Sequence, residues 1–141
     1  MNEVGTLEDY RFSNNKLLTF SNLVPGKVIK VGQDWRLGKG GLFWDCSYIM
    51  TRLLLDHLES EESKQDDGNE SKILVELGAS TMLPCLAAAF KYPDKLKCFA
   101  TDVKKVMPLT QKCHELNERP GNIVPLELCW GEASHYERLQ E

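Results

Sequence analysis

Three short stretches hold the residues whose types and spacing suit the binding of a nucleoside. The first is Glu76-Leu77-Gly78-Ala79-Ser80-Thr81-Met82, the second is Thr101-Asp102, and the third is Cys129-Trp130-Gly131. Gly78 carries no Cβ, so the backbone there can come close to a ligand. Asp102 lies 26 positions after Glu76. An acid about 20 residues beyond a glycine turn is where a ribose diol is gripped, because one carboxylate accepts from both hydroxyls. Trp130 supplies a flat apolar wall for an adenine ring. Each residue also has a plainer structural job. A glycine after a strand is common, Asp102 suits the cap of a following helix, and Trp44 and Trp130 suit a core boundary. Taken one by one the plainer readings are favoured, and taken together, in this order, the ligand is favoured.

The order matters because of the elements that must carry these residues. Ile73–Leu77 is a short, nearly continuous apolar run, as expected of a strand buried on both faces. Leu83–Phe90 reads as a helix with Pro84 in its first turn, where no backbone donor is needed. Lys97–Thr101 reads as a second strand, Leu109–Leu116 as a helix entered at Pro108, and Ile123–Cys129 as a third strand made irregular by Pro125. Strand, helix, strand, helix, strand implies right-handed crossovers and a parallel sheet with helices on its faces. Ligands of such sheets bind beyond the carboxyl ends of the strands, where all three stretches fall.

Upstream, Lys16–Phe20 and Lys27–Val31 flank Pro25-Gly26 and predict a β-hairpin. Asp34 and Trp35 end the hairpin, or else shape a substrate entrance; the first is the simpler reading. Arg36–Gly41 predicts a flexible glycine-rich connection. Cys46–Leu58 places Ile49, Met50, Leu53, Leu54 and Leu58 at helical spacing, with Asp45 as its cap. Residues 1–14 form a polar leader, and 15–141 a single domain. Within that domain, 59–72 has six acids against two bases and predicts an acidic surface loop. Ser134–Glu141 predicts a short polar tail, helical or not.

The chain has 141 residues and a formal net charge of -4, which the acidic stretch accounts for by itself. No basic field exists to hold a nucleic-acid backbone, so a nucleic-acid partner is not expected. The five cysteines form no C-x-x-C pair and the three histidines no ligand spacing, so neither a metal site nor a disulfide framework is expected. The N-terminus lacks the apolar stretch of a secretion signal, and no apolar run nears the roughly 20 residues of a membrane helix. A cytosolic or nuclear protein, cytoplasmic as the first choice, with mostly buried thiols and no membrane partner is the expectation.

The residues together resemble the seven-strand S-adenosylmethionine-dependent methyltransferases. More narrowly, they resemble the small protein-lysine methyltransferases that include the enzymes modifying elongation factor 1A and chaperones. The resemblance rests on Gly41-Leu42-Phe43-Trp44-Asp45, Ile73–Ala79, Thr101-Asp102, Pro108-Leu109 and Leu126–Glu132, and runs from about Leu17 to Glu132. It implies an α/β, Rossmann-like parallel sheet, the first half of the seven-strand fold, preceded by the hairpin and helix. It also implies S-adenosyl-L-methionine as cosubstrate, with Trp44 at its border and Gly78, Ala79 and Ser80 lining the methionine part. Asp102 would hold the ribose hydroxyls and Trp130 flank the adenine, with Glu76 also in the cofactor site. The reaction implied is methyl transfer to a lysine of a protein substrate, elongation factor 1A being the family-level candidate. Direct displacement needs in-line positioning and a neutral amine, and the sequence offers no nucleophile–base dyad.

Two departures from the family pattern stand out. The glycine turn usually reads Glu-Leu-Gly-Ala-Gly-Thr-Gly, and here the second and third glycines are Ser80 and Met82. A positive φ at Ser80 would be strained, while the flexible thioether of Met82 can fold into the core. Weakened cofactor affinity follows. The family also continues well past the Trp-Gly motif, so the chain reads as C-terminally truncated. The first strand then keeps an open edge that a partner chain would cover. The alternative is a non-catalytic interaction module on the same scaffold. A dehydrogenase-type dinucleotide site is disfavoured, because G-x-G-x-x-G is absent.

Overall fold

The turn at Pro25-Gly26, where Gly26 takes a φ of 72°, folds β1 (Leu17–Phe20) onto β2 (Ile29–Gly32) as an antiparallel pair with Leu18 opposite Val31. These belong to a computed structural model that describes residues 16–63 and 71–139. The polar leader read over 1–14 lies outside the described residues. The hairpin docks on α3 (Met107–Leu116) by backbone as well as by side chains. The Asn117 amide accepts from Lys30 N–H at 2.9 Å and donates to the Lys30 and Cys113 carbonyls. The Cys113 thiol sits 3.2 Å from the Gly32 nitrogen, and burial pushes that thiol up to about 11.

The glycine-rich connection is not loose. Trp35–Gly41 is a 3-10 segment kinked at Gly38 and capped by Asp34, whose carboxylate accepts from Arg36 N–H. The Arg36 guanidinium, 2.8 Å from that carboxylate, holds it down at about 2. Gly41 is buried, and a Cβ there would lie 1.9 Å from the Asp34 carbonyl oxygen, so no other residue fits. Asp34 thus caps the segment that follows the hairpin.

α1 spans Asp45–Glu62, longer than its apolar spacing suggests. Asp45 is its first residue and not its cap; Trp44 occupies the cap position without a side-chain cap bond. The start of the acidic stretch is helical as well, and the Lys91–Glu59 and Lys95–Glu62 ion pairs tie that end of α1 to the end of α2 (Leu83–Lys91) and the turn after it. Residues 64–70, the centre of that stretch, lie outside the described residues.

The sheet follows the expected alternation. β3 (Lys72–Leu77), β4 (Leu96–Asp102) and β5 (Ile123–Glu127) are parallel, in that order across the sheet, with Val75 opposite Phe99 and Phe99 opposite Val124. Pro125 pairs in register with Ala100 without a break. Among the described strands β5 lies at an edge, where a missing N–H goes unnoticed, so the expected irregularity does not arise. A final short helix, α4 (Ala133–Glu137), follows. The fold is α/β and Rossmann-like, with the hairpin beside the sheet.

The core lies on one face of this sheet. Cys85, Leu86, Cys98 and Ala100 are fully buried, with Leu109, Cys113 and Ile123 beside them. The opposite face departs from expectation. Ile73 is 65% and Leu77 59% exposed, and Val75 is exposed between them. Among the described residues α2 and α3 both pack on the first face, and the exposure of the second is confined to the β3 side, since Phe99 and Thr101 of β4 are buried on it; helices on both faces were expected.

Candidate functional site

The glycine turn between β3 and α2 is held open by left-handed backbone. Gly78, Ser80 and Met82 take φ of 66°, 45° and 52°. Only the first is a glycine, so Ser80 carries the strain anticipated for it and Met82 carries it too, roughly 1–2 kcal/mol each for a residue with a Cβ. Met82 offsets it by burial: its side chain is fully enclosed in the core beside Leu83 and Leu86. Ser80 offsets it with hydrogen bonds from three directions. Its N–H donates to Asp102 Oδ2 at 2.9 Å, its hydroxyl donates to the Gly40 carbonyl at 2.6 Å, and its carbonyl accepts from Thr110 Oγ1 at 2.8 Å. The turn is thereby fixed to β4, to the 3-10 segment and to α3.

Glu76 does something a sequence does not reveal. Its carboxylate reaches across to α2 and accepts from the Cys85 N–H at 3.0 Å. Met82, in the cap position, has no side-chain cap bond, so Glu76 serves as the N-terminal acceptor from the preceding strand. Burial pushes this carboxyl up to about 7, against the lowering effect of the Cys85 bond, and the nearby Asp102 charge adds to the rise. Thr101 Oγ1 donates to the Glu76 carbonyl at 2.7 Å, which locks the ends of β3 and β4 together.

Asp102 lies at the tip of β4 and does not cap the next helix, whose cap position is Val106. Its Oδ1 accepts from Val103 N–H at 2.8 Å while Oδ2 takes Ser80 N–H. Each oxygen spends one lone pair on backbone and keeps another for a hydroxyl. Trp130 lies beyond β5, 68% exposed, and a Cβ built at Gly78 would sit 3.9 Å from its ring. At the ends of the three strands Gly78 thus lies beside Trp130 and, through Ser80, close to Asp102.

Trp44 stands on the other side of the turn, its indole N–H donating to the Lys39 carbonyl at 2.9 Å. An open cavity of about 520 Å³ lies between α1 and β3, lined by Trp44, Met50, Glu76, Gly78, Ala79 and Ser80 among others. Of the residues expected at the site, five line this cavity, and Asp102 and Trp130 adjoin it through Ser80 and Gly78. The cavity is mainly apolar with one carboxyl, Glu76, and the Asp102 carboxylate and the exposed Trp130 indole lie next to the turn at its rim. That set fits a nucleoside with an amino-acid tail. Sequence reasoning missed Lys39, Gly40 and Thr110, which act through backbone carbonyls and one hydroxyl and leave no spacing signal. It also missed His135 and Tyr136, which bond the backbone on either side of Trp130.

Comparison with known proteins gives the family. Residues 23–141 match a family model described as lysine methyltransferase. Protein-lysine N-methyltransferase EFM6 of Saccharomyces cerevisiae is 33% identical over 116 residues, covering 74% of this chain and 46% of that protein. The chain thus spans about half the length of the curated relative it matches.

Proposed function

Because the chain belongs to the lysine methyltransferase family, we propose that it forms the cosubstrate-binding part of an S-adenosylmethionine-dependent protein-lysine N-methyltransferase. The observation that carries this reading is the meeting of Gly78, Asp102 and Trp130 where the three parallel strands end. Asp102 holds the ribose hydroxyls on its remaining lone pairs, and Trp130 flanks the adenine. Gly78, Ala79 and Ser80 line the methionine part, with Glu76 behind them and Trp44 at the border. S-adenosylmethionine supplies a methyl on a sulfonium, which a neutral lysine amine takes by direct displacement. These residues bind and orient, and none of them is needed as a nucleophile.

The protein substrate we propose is elongation factor 1A, in the cytoplasm. Its support is the resemblance to the enzymes that modify that factor. The lysine-binding part is proposed to lie outside this stretch, on strands that continue the sheet from β3. Calorimetric titration of S-adenosylhomocysteine tests the site. Micromolar binding is expected, and its loss in Asp102→Ala with the circular dichroism spectrum kept. Unchanged affinity in that variant would refute the assignment. Transfer of labelled methyl from S-adenosylmethionine to elongation factor 1A tests the substrate.

A second reading has its own support. Ser80 and Met82 at positive φ, with one sheet face uncovered, favour a non-catalytic module that docks a partner chain along β3. A folded chain that binds no S-adenosylhomocysteine and forms a stable complex through that edge would establish it.

A further inference from the structure

Trp130 is mostly exposed, and a ring in that state is not held by packing. It lies in a turn, Cys129-Trp130-Gly131, that follows β5 and has Gly131 at a φ of 90°. The strand itself anchors the chain only as far as Leu128, whose N–H donates to the Asp102 carbonyl at 2.9 Å. Beyond that point the two amides flanking Trp130 have partners outside the sheet. Cys129 N–H donates to His135 Nδ1 at 2.9 Å, and Gly131 N–H donates to Tyr136 Oη at 3.1 Å. Two adjacent side chains of α4 thus grip the backbone one residue before and one residue after Trp130. The turn closes on itself as well, since Glu132 N–H donates to the Cys129 carbonyl at 3.2 Å.

We infer that His135 and Tyr136 are positioning residues that hold Trp130 ready for the adenine ring. The inference rests on the reading that Trp130 flanks the adenine. The physical reason is preorganisation: a wall already in place loses little freedom when the ligand arrives. The donor sense also fixes the chemistry of each grip. His135 Nδ1 must be an acceptor, so in this arrangement the ring is neutral with its proton on Nε2. Asparagine places an amide oxygen near the position of Nδ1 and is the conservative replacement. Tyr136 acts through its hydroxyl, which phenylalanine lacks.

The test uses the 1–141 chain with two readouts, amide hydrogen exchange at Cys129 and Gly131 by NMR, and calorimetric titration of S-adenosylhomocysteine. In His135→Ala the Cys129 amide is expected to exchange about tenfold faster, and in Tyr136→Phe the Gly131 amide likewise, as one exposed hydrogen bond is lost. Each variant is expected to bind S-adenosylhomocysteine roughly three- to tenfold more weakly, with melting unchanged. His135→Asn is expected to recover both protection and affinity. Unchanged exchange in both variants overturns the grip. Faster exchange with unchanged affinity, while Trp130→Ala binds weakly, overturns the positioning role and leaves the adenine wall standing. Unchanged affinity in Trp130→Ala, or no binding by the parent chain, overturns the reading of Trp130 and this inference with it.

Discussion

The two faces of the β3–β4–β5 sheet are built from similar residues and meet different surroundings. One face carries Leu74, Cys98, Ala100 and Ile123 under α2 and α3, and the last three are almost wholly buried. The other carries Ile73, Val75, Leu77, Phe99, Val124 and Leu126, with Ile73 and Leu77 largely exposed. Composition alone does not separate the two. A strand apolar on both faces implies burial on both faces, yet on the second face the β3 residues are exposed while Phe99 and Thr101 of β4 are buried. The covered face also carries the chemistry, since Glu76 points into it and Ser80 closes its rim. On the other face Thr101 bonds the Glu76 carbonyl, and the exposed Ile73, Val75 and Leu77 of β3 present a bare apolar strip suited to another polypeptide.

The largest effect that separates the faces is a core truncation. Leu86 is fully buried on α2. Leu86→Ala is expected to lower stability by about 2–5 kcal/mol, measured by urea unfolding, because the lost contacts leave a cavity. A loss under about 1 kcal/mol would mean that the covered face is as loosely packed as the bare one.

Next comes the buried carboxyl of the covered face. The folded chain holds the Glu76 proton up to about 7, whereas the unfolded chain releases it near 4.5. Between those values the native state binds more protons, so stability falls as pH rises through the window. The fall is of order 3 kcal/mol at most for a shift of this size. Glu76→Gln keeps an acceptor for Cys85 N–H and removes the titration. It is expected to match the parent at pH 5 and exceed it at pH 8. Equal pH dependence in the two proteins would mean that Glu76 is hydrated.

Much of this frame was legible in the sequence, because apolar runs and prolines mark strands and helix starts locally. Ile73–Leu77, Lys97–Thr101 and Ile123–Cys129 marked the three parallel strands, and Pro84 and Pro108 the two helices, to within a residue or two. The hairpin around Pro25-Gly26 was legible for the same reason. The site was legible as positions: Gly78, Asp102 and Trp130 do converge where the strands end. Its wiring was not. Glu76 capping a helix nine residues on, Ser80 bonding Gly40, and Asp34 holding a 3-10 segment around Gly41 depend on three-dimensional approach and leave no periodic trace. The bare face was misread because a local apolar run does not reveal what lies against it.

Ser80 gives a smaller effect of opposing parts. Its left-handed backbone favours glycine, while its hydroxyl bonds the Gly40 carbonyl. Ser80→Ala keeps the strain and loses the bond, and is expected to be about 1 kcal/mol less stable. Ser80→Gly loses the bond but also the strain, and is expected to stay within about 0.5 kcal/mol of the parent. Urea unfolding of the pair decides between them; alanine as stable as glycine would remove the strain from the account, and alanine as stable as the parent would remove the hydroxyl.

The smallest change in stability is expected on the bare face, where it is the most informative. Ile73→Lys with Leu77→Lys is expected to alter unfolding by less than about 0.5 kcal/mol, since exposed side chains lose little on replacement. The same variant should associate less than the parent in sedimentation velocity at high concentration, because it places charge along an exposed apolar edge. Destabilisation of about 2 kcal/mol or more would instead place these side chains in a packed interior. Unchanged sedimentation would mean that the face is passive in solution. The pairing of a near-zero stability change with a clear change in association is what distinguishes a docking surface from a core.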